Sequence, residues 1–153
     1  MYNDEIFNEL CQEHEVSEQD ATTLLSLFDD EAADVLPHLV DCESDFCTDN
    51  WRVIKESWID SILADELKDS PYLLGSFAPW ALADVLGLST DFVAQIQAAG
   101  LGEQLGEELT SNHVEQLAEI LISHDGYGHH FATYDGHEHS FMFDGDAYYA
   151  FRI

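Results

Sequence analysis

Not one lysine or arginine occurs in the first 51 residues, and none lies between Lys68 and Arg152. Arg52, Lys55, Lys68 and Arg152 are the only fixed cations for 32 Asp and Glu, and the formal charge is −28 at pH 7. Most carboxylates must therefore go unpaired. They form solvated faces and loops, and the core has to come from the rest of the chain. That remainder is adequate: 46% of the 153 residues are hydrophobic and 12% aromatic, enough to fill one domain and to exclude wholesale disorder.

The same charge excludes several partners. Nucleic acid phosphates and anionic lipid heads would both be repelled, so neither direct DNA or RNA binding nor membrane association is expected. The chain has no basic segment leading into an apolar run, and no apolar stretch near the roughly 18 residues of a spanning helix. Three sparse cysteines, Cys11, Cys42 and Cys47, do not make a disulfide framework, and Cys42 with Cys47 lacks the second pair of a zinc site. A reducing cytoplasm is the expected location.

Periodicity divides the chain. Residues 3–14 read as a helix capped by Asn3, with Ile6, Phe7, Leu10 and Cys11 on one face and Glu5, Glu9 and Glu13 on another. Ser17 is placed to cap a second helix burying Ala21, Leu24, Leu25 and Phe28. Between Asp29 and Asn50, Pro37 and a dense acidic run predict a solvated face or loop. Trp51, Ile54, Trp58, Ile62, Leu63 and Leu67 trace an amphipathic helix over 51–68. Pro71, Gly75 and Pro79 punctuate the next segment, after which helices are expected over 80–86, 89–99 and 111–123, the last with capping-box spacing at Asn112 and Glu115.

Beyond Gly126 the period drops to 2, and Asp135-Gly136 and Asp144-Gly145 are hairpin dipeptides. They predict a three-stranded antiparallel meander. One face, Phe131, Met142, Tyr149, Phe151 and Ile153, should pack on helices. The other, with His130, Tyr134, His137, His139, Phe141, Phe143 and Tyr148, should be more exposed. The expected fold is α+β: one domain over 1–153, mainly helical over 1–125 and a β-meander over 126–153.

Residues 83–96 resemble the helix-turn-helix of bacterial repressors, with Ala83 at the helix crossing, Gly87 in the turn and Val93 and Ile96 on the core side. The second helix offers Thr90, Asp91, Ala94 and Gln95 where that family meets phosphates with cations. A packing unit or a protein-docking element is expected there, not a DNA reader.

The acidic runs have a cost. Glu5, Glu9 and Glu13 are neighbours at i, i+4 and i+8, and each such like-charge pair costs an isolated helix roughly 0.2–0.5 kcal/mol. Asp29, Asp30, Glu31, Asp34, Asp41, Glu43, Asp45 and Asp49 add to the repulsion, so something outside the monomer is expected to make the arrangement useful. A globule of this length has a radius of gyration of roughly 15 Å, hence a diameter of roughly 38 Å, over which B-DNA carries roughly 22 phosphates. The net charge is of that order.

In composition the chain resembles the DNA-mimic inhibitors that phages and plasmids direct against restriction enzymes and CRISPR effectors. That resemblance implies an inhibitor working by stoichiometric binding, without catalysis or cofactor. It would cover the basic nucleic-acid-binding surface of a protein or complex with the eleven carboxylates of these runs. Tyr134 or Tyr148 would add apolar contact, and a homodimer would extend the charged surface. Immunity proteins against nuclease toxins share this charge logic, and acid-rich, lysine-poor chains also occur in salt-loving organisms.

The rival reading starts from His124, His129, His130, His137 and His139. In the expected meander, His130, His137 and His139 share a surface and could hold zinc with an open fourth position, as in a hydrolase. Asp125, Asp135 and Glu138 are nearby as ordinary histidine partners. No nucleophile elbow accompanies them. Gly100, Gly102 and Gly106 lack the strand and lysine of a phosphate loop, and Asp144-Gly145-Asp146 lacks the remainder of a calcium loop.

Overall fold

The structure, a computed structural model, describes residues 2–153, with side chains from Asp4 onward. In chain order the elements are α1 (Tyr2–Glu13), α2 (Glu18–Phe28), a 3-10 turn (Asp29–Glu31), α3 (Ala32–Val40), β1 (Asp45–Cys47) and β2 (Trp51–Lys55). Then come α4 (Glu56–Lys68), α5 (Pro71–Gly75), α6 (Pro79–Leu86), α7 (Thr90–Ala98), α8 (Gly102–Glu107), α9 (Ser111–Asp125) and α10 (Gly128–Phe131). β3 (Glu138–Phe143) and β4 (Asp146–Arg152) close the chain. Among the described residues no helix is long and apolar enough to cross a membrane. Two compact units result: residues up to Trp58 together with Tyr127–Ile153, and Ile59–Gly126.

The first unit is built on an antiparallel sheet of four strands, ordered β1-β2-β4-β3. This corrects the three-stranded meander: two strands come from residues 45–55, and α10 replaces the expected first strand. Register puts Phe46 opposite Val53, Val53 opposite Ala150, and Phe141 opposite Tyr148. Partners across a ladder share a face. Phe46, Trp51, Val53, Phe141, Phe143, Tyr148 and Ala150 therefore meet Phe7, Leu24, Phe28, Val35, Leu36 and Leu39 of the helices in one core. Phe28 is the hinge of that packing, edge-on to both Trp51 and Phe141 with ring centroids 5.1 and 5.4 Å apart.

The face assignment is met only in part: Phe131 and Phe151 are buried as expected, but the other face is covered as well. Phe141, Phe143 and Tyr148, expected on the open side, are buried, whereas Met142 is 54% exposed. The cause is that α1, α2 and α3 pack on the face carrying Phe141, Phe143 and Tyr148. The reverse face holds Phe151 and Tyr149 against Phe131 and Tyr127, from α10 and its entry.

Trp51–Lys55 is a strand although its apolar spacing also suits a helix. The Asp49-Asn50 connection makes it a hairpin with β1, closed by Thr48 N–H to the Trp51 carbonyl at 2.8 Å. The helical stripe starts at Glu56, burying Ile59, Leu63 and Leu67 and leaving Trp58 53% exposed. Pro37 likewise does not break α3. Its missing N–H costs about 3 kcal/mol, but Ala32, Val35, Leu36 and Leu39 are buried at i, i+3, i+4 and i+7. Burying each larger side chain returns roughly 1.5–3 kcal/mol, so burial wins.

Other expectations are met. Ser17 caps α2 by accepting from Asp20 N–H at 3.1 Å. Asp144 and Gly145, at φ 48° and 83°, form a two-residue turn of the mirror-image type that suits strand twist. The proposed cap at Asn3 concerns a side chain outside the described residues.

In the second unit, α6 ends at Gly87 in the left-handed region, φ 70°, and α7 is capped by Ser89. Ala83 and Val93 are buried in this helix-turn-helix, and Ile96 is partly buried. The cap of α9 is Thr110, not Asn112: Thr110 and His113 satisfy each other's backbone N–H reciprocally. The glycine-rich stretch around Gly102 serves packing. Gly102 and Gly106 bring α8 against α5 so closely that a Cβ on Gly106 would stand 2.0 Å from the Pro71 carbonyl oxygen, and one on Gly75 would stand 1.8 Å from that of Gly102.

Gly106→Ala is accordingly expected to destabilise the protein by at least about 2 kcal/mol in urea unfolding, near the upper range for overpacking. The exposed neighbour Gln104→Ala should stay within about 0.5 kcal/mol. Equal midpoints for the two variants would contradict the close helix contact.

Candidate functional site

Of the eleven carboxylates singled out in the sequence, ten are exposed and Glu31 is half-buried. Local structure explains why. On α1, Phe7 turns into the core and Glu5, Glu9 and Glu13 follow the opposite ridge, although Ile6 joins them at the surface at 38% exposure. Asp29 and Asp30 lie in the 3-10 turn, Asp34 on the outer face of α3, and Asp49 at the tip of the β1–β2 hairpin.

Three of the eleven are anchored. Glu31 accepts from Asn50 N–H at 3.2 Å, and Glu43 pairs with the His38 Nδ1. Asp45 takes a forked pair from Arg52 at 3.0 and 2.8 Å. The side chains of the other eight accept no hydrogen bond and join no ion pair among the described residues.

The cations are already engaged. Arg52 also lies over the Phe131 ring at 4.9 Å, and Arg152 over Trp51 at 5.4 Å and Tyr134 at 5.2 Å. Lys55 reaches Asp146 at 3.3 Å, and Lys68 donates to the Ser111 hydroxyl at 2.8 Å. Each stem or guanidinium is held by its own unit, so the outward-facing fixed charge is overwhelmingly negative. The second unit carries twelve carboxylates against Lys68 alone, so acidic surface is not confined to the N-terminal runs.

The alternative zinc set does not assemble. His130 sits in α10 and packs edge-on to Phe131, His139 packs edge-on to Trp51 from β3, and His137 lies exposed in the intervening loop. Placing His130 on a helix removes the cross-strand neighbour relation on which that set depended. Among the described residues no group of three or more His, Cys, Asp or Glu is placed to hold a metal ion. His124 is likewise an aromatic neighbour, edge-on to Trp80. Tyr134 is 72% exposed, as expected, whereas Tyr148 is 2% exposed.

One concave feature has no counterpart in the sequence pattern. A pocket of about 390 Å³ opens in the first unit where the α1–α2 connection, the end of α3 and the β3–β4 turn converge. Glu15, Asp20, Asp144 and Asp146 bring carboxylates to it. Asp20 fixes the turn by accepting from Asp144 N–H at 3.0 Å, a contact spanning 124 residues. No local motif signals such a pairing.

Comparison with known proteins returns no matching family model, no matching curated protein and no matching solved structure.

The Tyr148 phenol at this pocket is pushed above the usual tyrosine value, by burial first and then by Asp146, Cys42 and Asp144. The fold favours the neutral phenol. Its contribution to stability is present below about pH 10 and is lost as the pH rises through the raised value. Alkaline unfolding followed by circular dichroism is expected to show a shallower limb above about pH 10 in Tyr148→Phe than in the native chain. Superimposable limbs would refute that linkage.

Proposed function

We propose that this protein is a stoichiometric inhibitor that presents DNA-like negative charge to the basic nucleic-acid-binding surface of another protein, such as a defence nuclease or a CRISPR effector. The observation that carries the reading is the pairing pattern. Among the described residues, eight exposed carboxylates of the N-terminal runs stand without partners, while every cation of the chain is engaged internally. The stability of the folded monomer gains nothing from such an arrangement and is lowered by self-repulsion.

Spacing supports the same reading. Glu5, Glu9 and Glu13 recur every four residues along α1, about 6 Å at the helical rise. Two phosphate steps on one DNA strand cover about 6.8 Å. Lysines and arginines arranged to neutralise phosphates would meet carboxylates at comparable intervals, and counterions would be released from both surfaces. The helix-turn-helix of the second unit fits a protein-binding role better than DNA reading, because Thr90, Asp91 and Gln95 are exposed where phosphate contacts would need cations. Cys11, Cys42 and Cys47 form no disulfide among the described residues, with Cys42 and Cys47 exposed, which suits a reducing cytoplasm.

The test is capture of the tagged protein's partner from host lysate at low salt, followed by elution with duplex DNA. A nucleic-acid-binding protein displaced by DNA is expected. With that partner in hand, the combined change Glu5→Lys, Glu9→Lys, Glu13→Lys should weaken binding at least about tenfold, whereas any single change should cost about threefold or less, since exposed charges contribute small increments. Partners indifferent to DNA, or unchanged affinity in a folded triple variant, would defeat the reading.

A further inference from the structure

We infer that the pocket bounded by Asp20, Asp144 and Tyr148 is a receptor for one arginine side chain of the basic partner. The inference rests on the reading that the ligand is a cationic protein, and it assigns that protein an anchoring residue.

The pocket has two chemical levels. Val16, Leu39 and Phe143 contribute apolar wall, against which the methylenes of a long side chain can lie. Glu15, Asp20, Asp144 and Asp146 line the same pocket with carboxylates. Asp20 spends one oxygen, Oδ2, on Asp144 N–H, and Asp146 spends one on Lys55. The Asp144 and Glu15 carboxylates accept nothing among the described residues.

A separate observation points to a ligand. Tyr148 is 2% exposed and lines this pocket, yet its hydroxyl has no hydrogen-bond partner among the described residues. Among those same residues no sealed side-chain oxygen or nitrogen lacks a partner. The hydroxyl oxygen is therefore not sealed, and Tyr148 lines the same cavity as Asp144 and Asp146. An unpartnered phenol oxygen at an acidic pocket is suited to accept from an N–H donor, and its own O–H can turn to a carboxylate when it does so.

Arginine fits these features better than other cations. Its planar fork offers five donors to several acceptors at once, it is more weakly hydrated than an ammonium group, and its stem packs against apolar wall. A metal ion is a poor occupant because the carboxylates do not converge as a ligand set. Such a pocket also supplies a property that a diffuse acidic surface lacks, a defined register with the partner.

The experiment is an amide-resolved NMR titration of the full chain with N-acetyl-arginine amide, with sodium chloride of equal ionic strength as reference. Saturable shifts are expected at Val16, Cys42 and Gly145. Asp20→Asn combined with Asp144→Asn keeps the turn, because asparagine can still accept the Asp144-position N–H and tolerates positive φ. That variant should weaken binding about tenfold or more, and Tyr148→Phe about threefold, as expected for lost charged and neutral hydrogen bonds. Changing Glu5, Glu9 and Glu13 together to Gln should leave it within about twofold, since that ridge lies outside the pocket.

Shifts that never saturate and spread over the whole acidic surface would overturn the inference. So would undiminished affinity in the folded Asp20/Asp144 variant, or equally tight binding of N-acetyl-lysine amide. Failure here with DNA-displaceable partner capture intact would remove only the pocket. Loss of that capture with saturable arginine binding retained would remove only the DNA-mimic reading.

Discussion

Repulsion among 32 carboxylates with four cations to answer it is the condition every other feature of this protein has to meet. The response is strict segregation. No polar or charged residue is buried among the described residues, and the interior is built from aliphatic and aromatic side chains alone. A buried unpaired carboxylate would cost several kcal/mol, whereas an exposed one is screened by water and salt. Three of the four cations, Arg52, Lys55 and Arg152, lie on the two central strands. There they brace the sheet through carboxylates and aromatic rings instead of dispersing over the surface.

The second unit meets the same condition with different means. Its short helices α5 and α8 approach through small residues: Gly75, Gly102 and Gly106 let backbones touch where side chains would hold them apart. Gln97 then ties α7 to the end of α5, its amide donating to the carbonyls of Gly75 and Phe77 at 2.9 and 2.8 Å. The outcome joins α6 to α7 through a tight turn at Gly87, with no Lys or Arg on either helix. Shape and electrostatics are independent here, so a resemblance in one carries no function in the other.

Much of the fold was legible because local rules were in agreement. Ser17 and Gly87 marked helix ends, apolar spacing marked α1, α2 and the core side of α7, and Asp144-Gly145 marked its turn. Errors arose where two local rules competed. Trp51, Ile54 and Trp58 fit a helical stripe, but pairing of Trp51–Lys55 with both β1 and β4 overrode it. Pro37 signalled a break, and burial of α3 outweighed the lost bond. Asp135-Gly136 signalled a hairpin, yet Gly128 packs so near Gly136 and His137 that the segment before it folds as a helical turn. The acidic surface was legible as composition. The pocket was not, because Asp20, Asp144 and Tyr148 are neighbours only through the tertiary fold.

The first unit is discontinuous in sequence. β2 ends at Lys55, its partner β4 starts at Asp146, and the whole second unit lies in between. During synthesis from the N-terminus, the helical unit is therefore complete while the sheet is still a two-stranded fragment with one edge of β2 open. Such an edge is a template for pairing with another chain. β2 itself carries Arg52 and Lys55, but the 51 residues before Arg52 contain neither Lys nor Arg. Two half-made copies carry like charge over that stretch, which opposes their approach before they can join edges and so guards the nascent chain against aggregation on the ribosome.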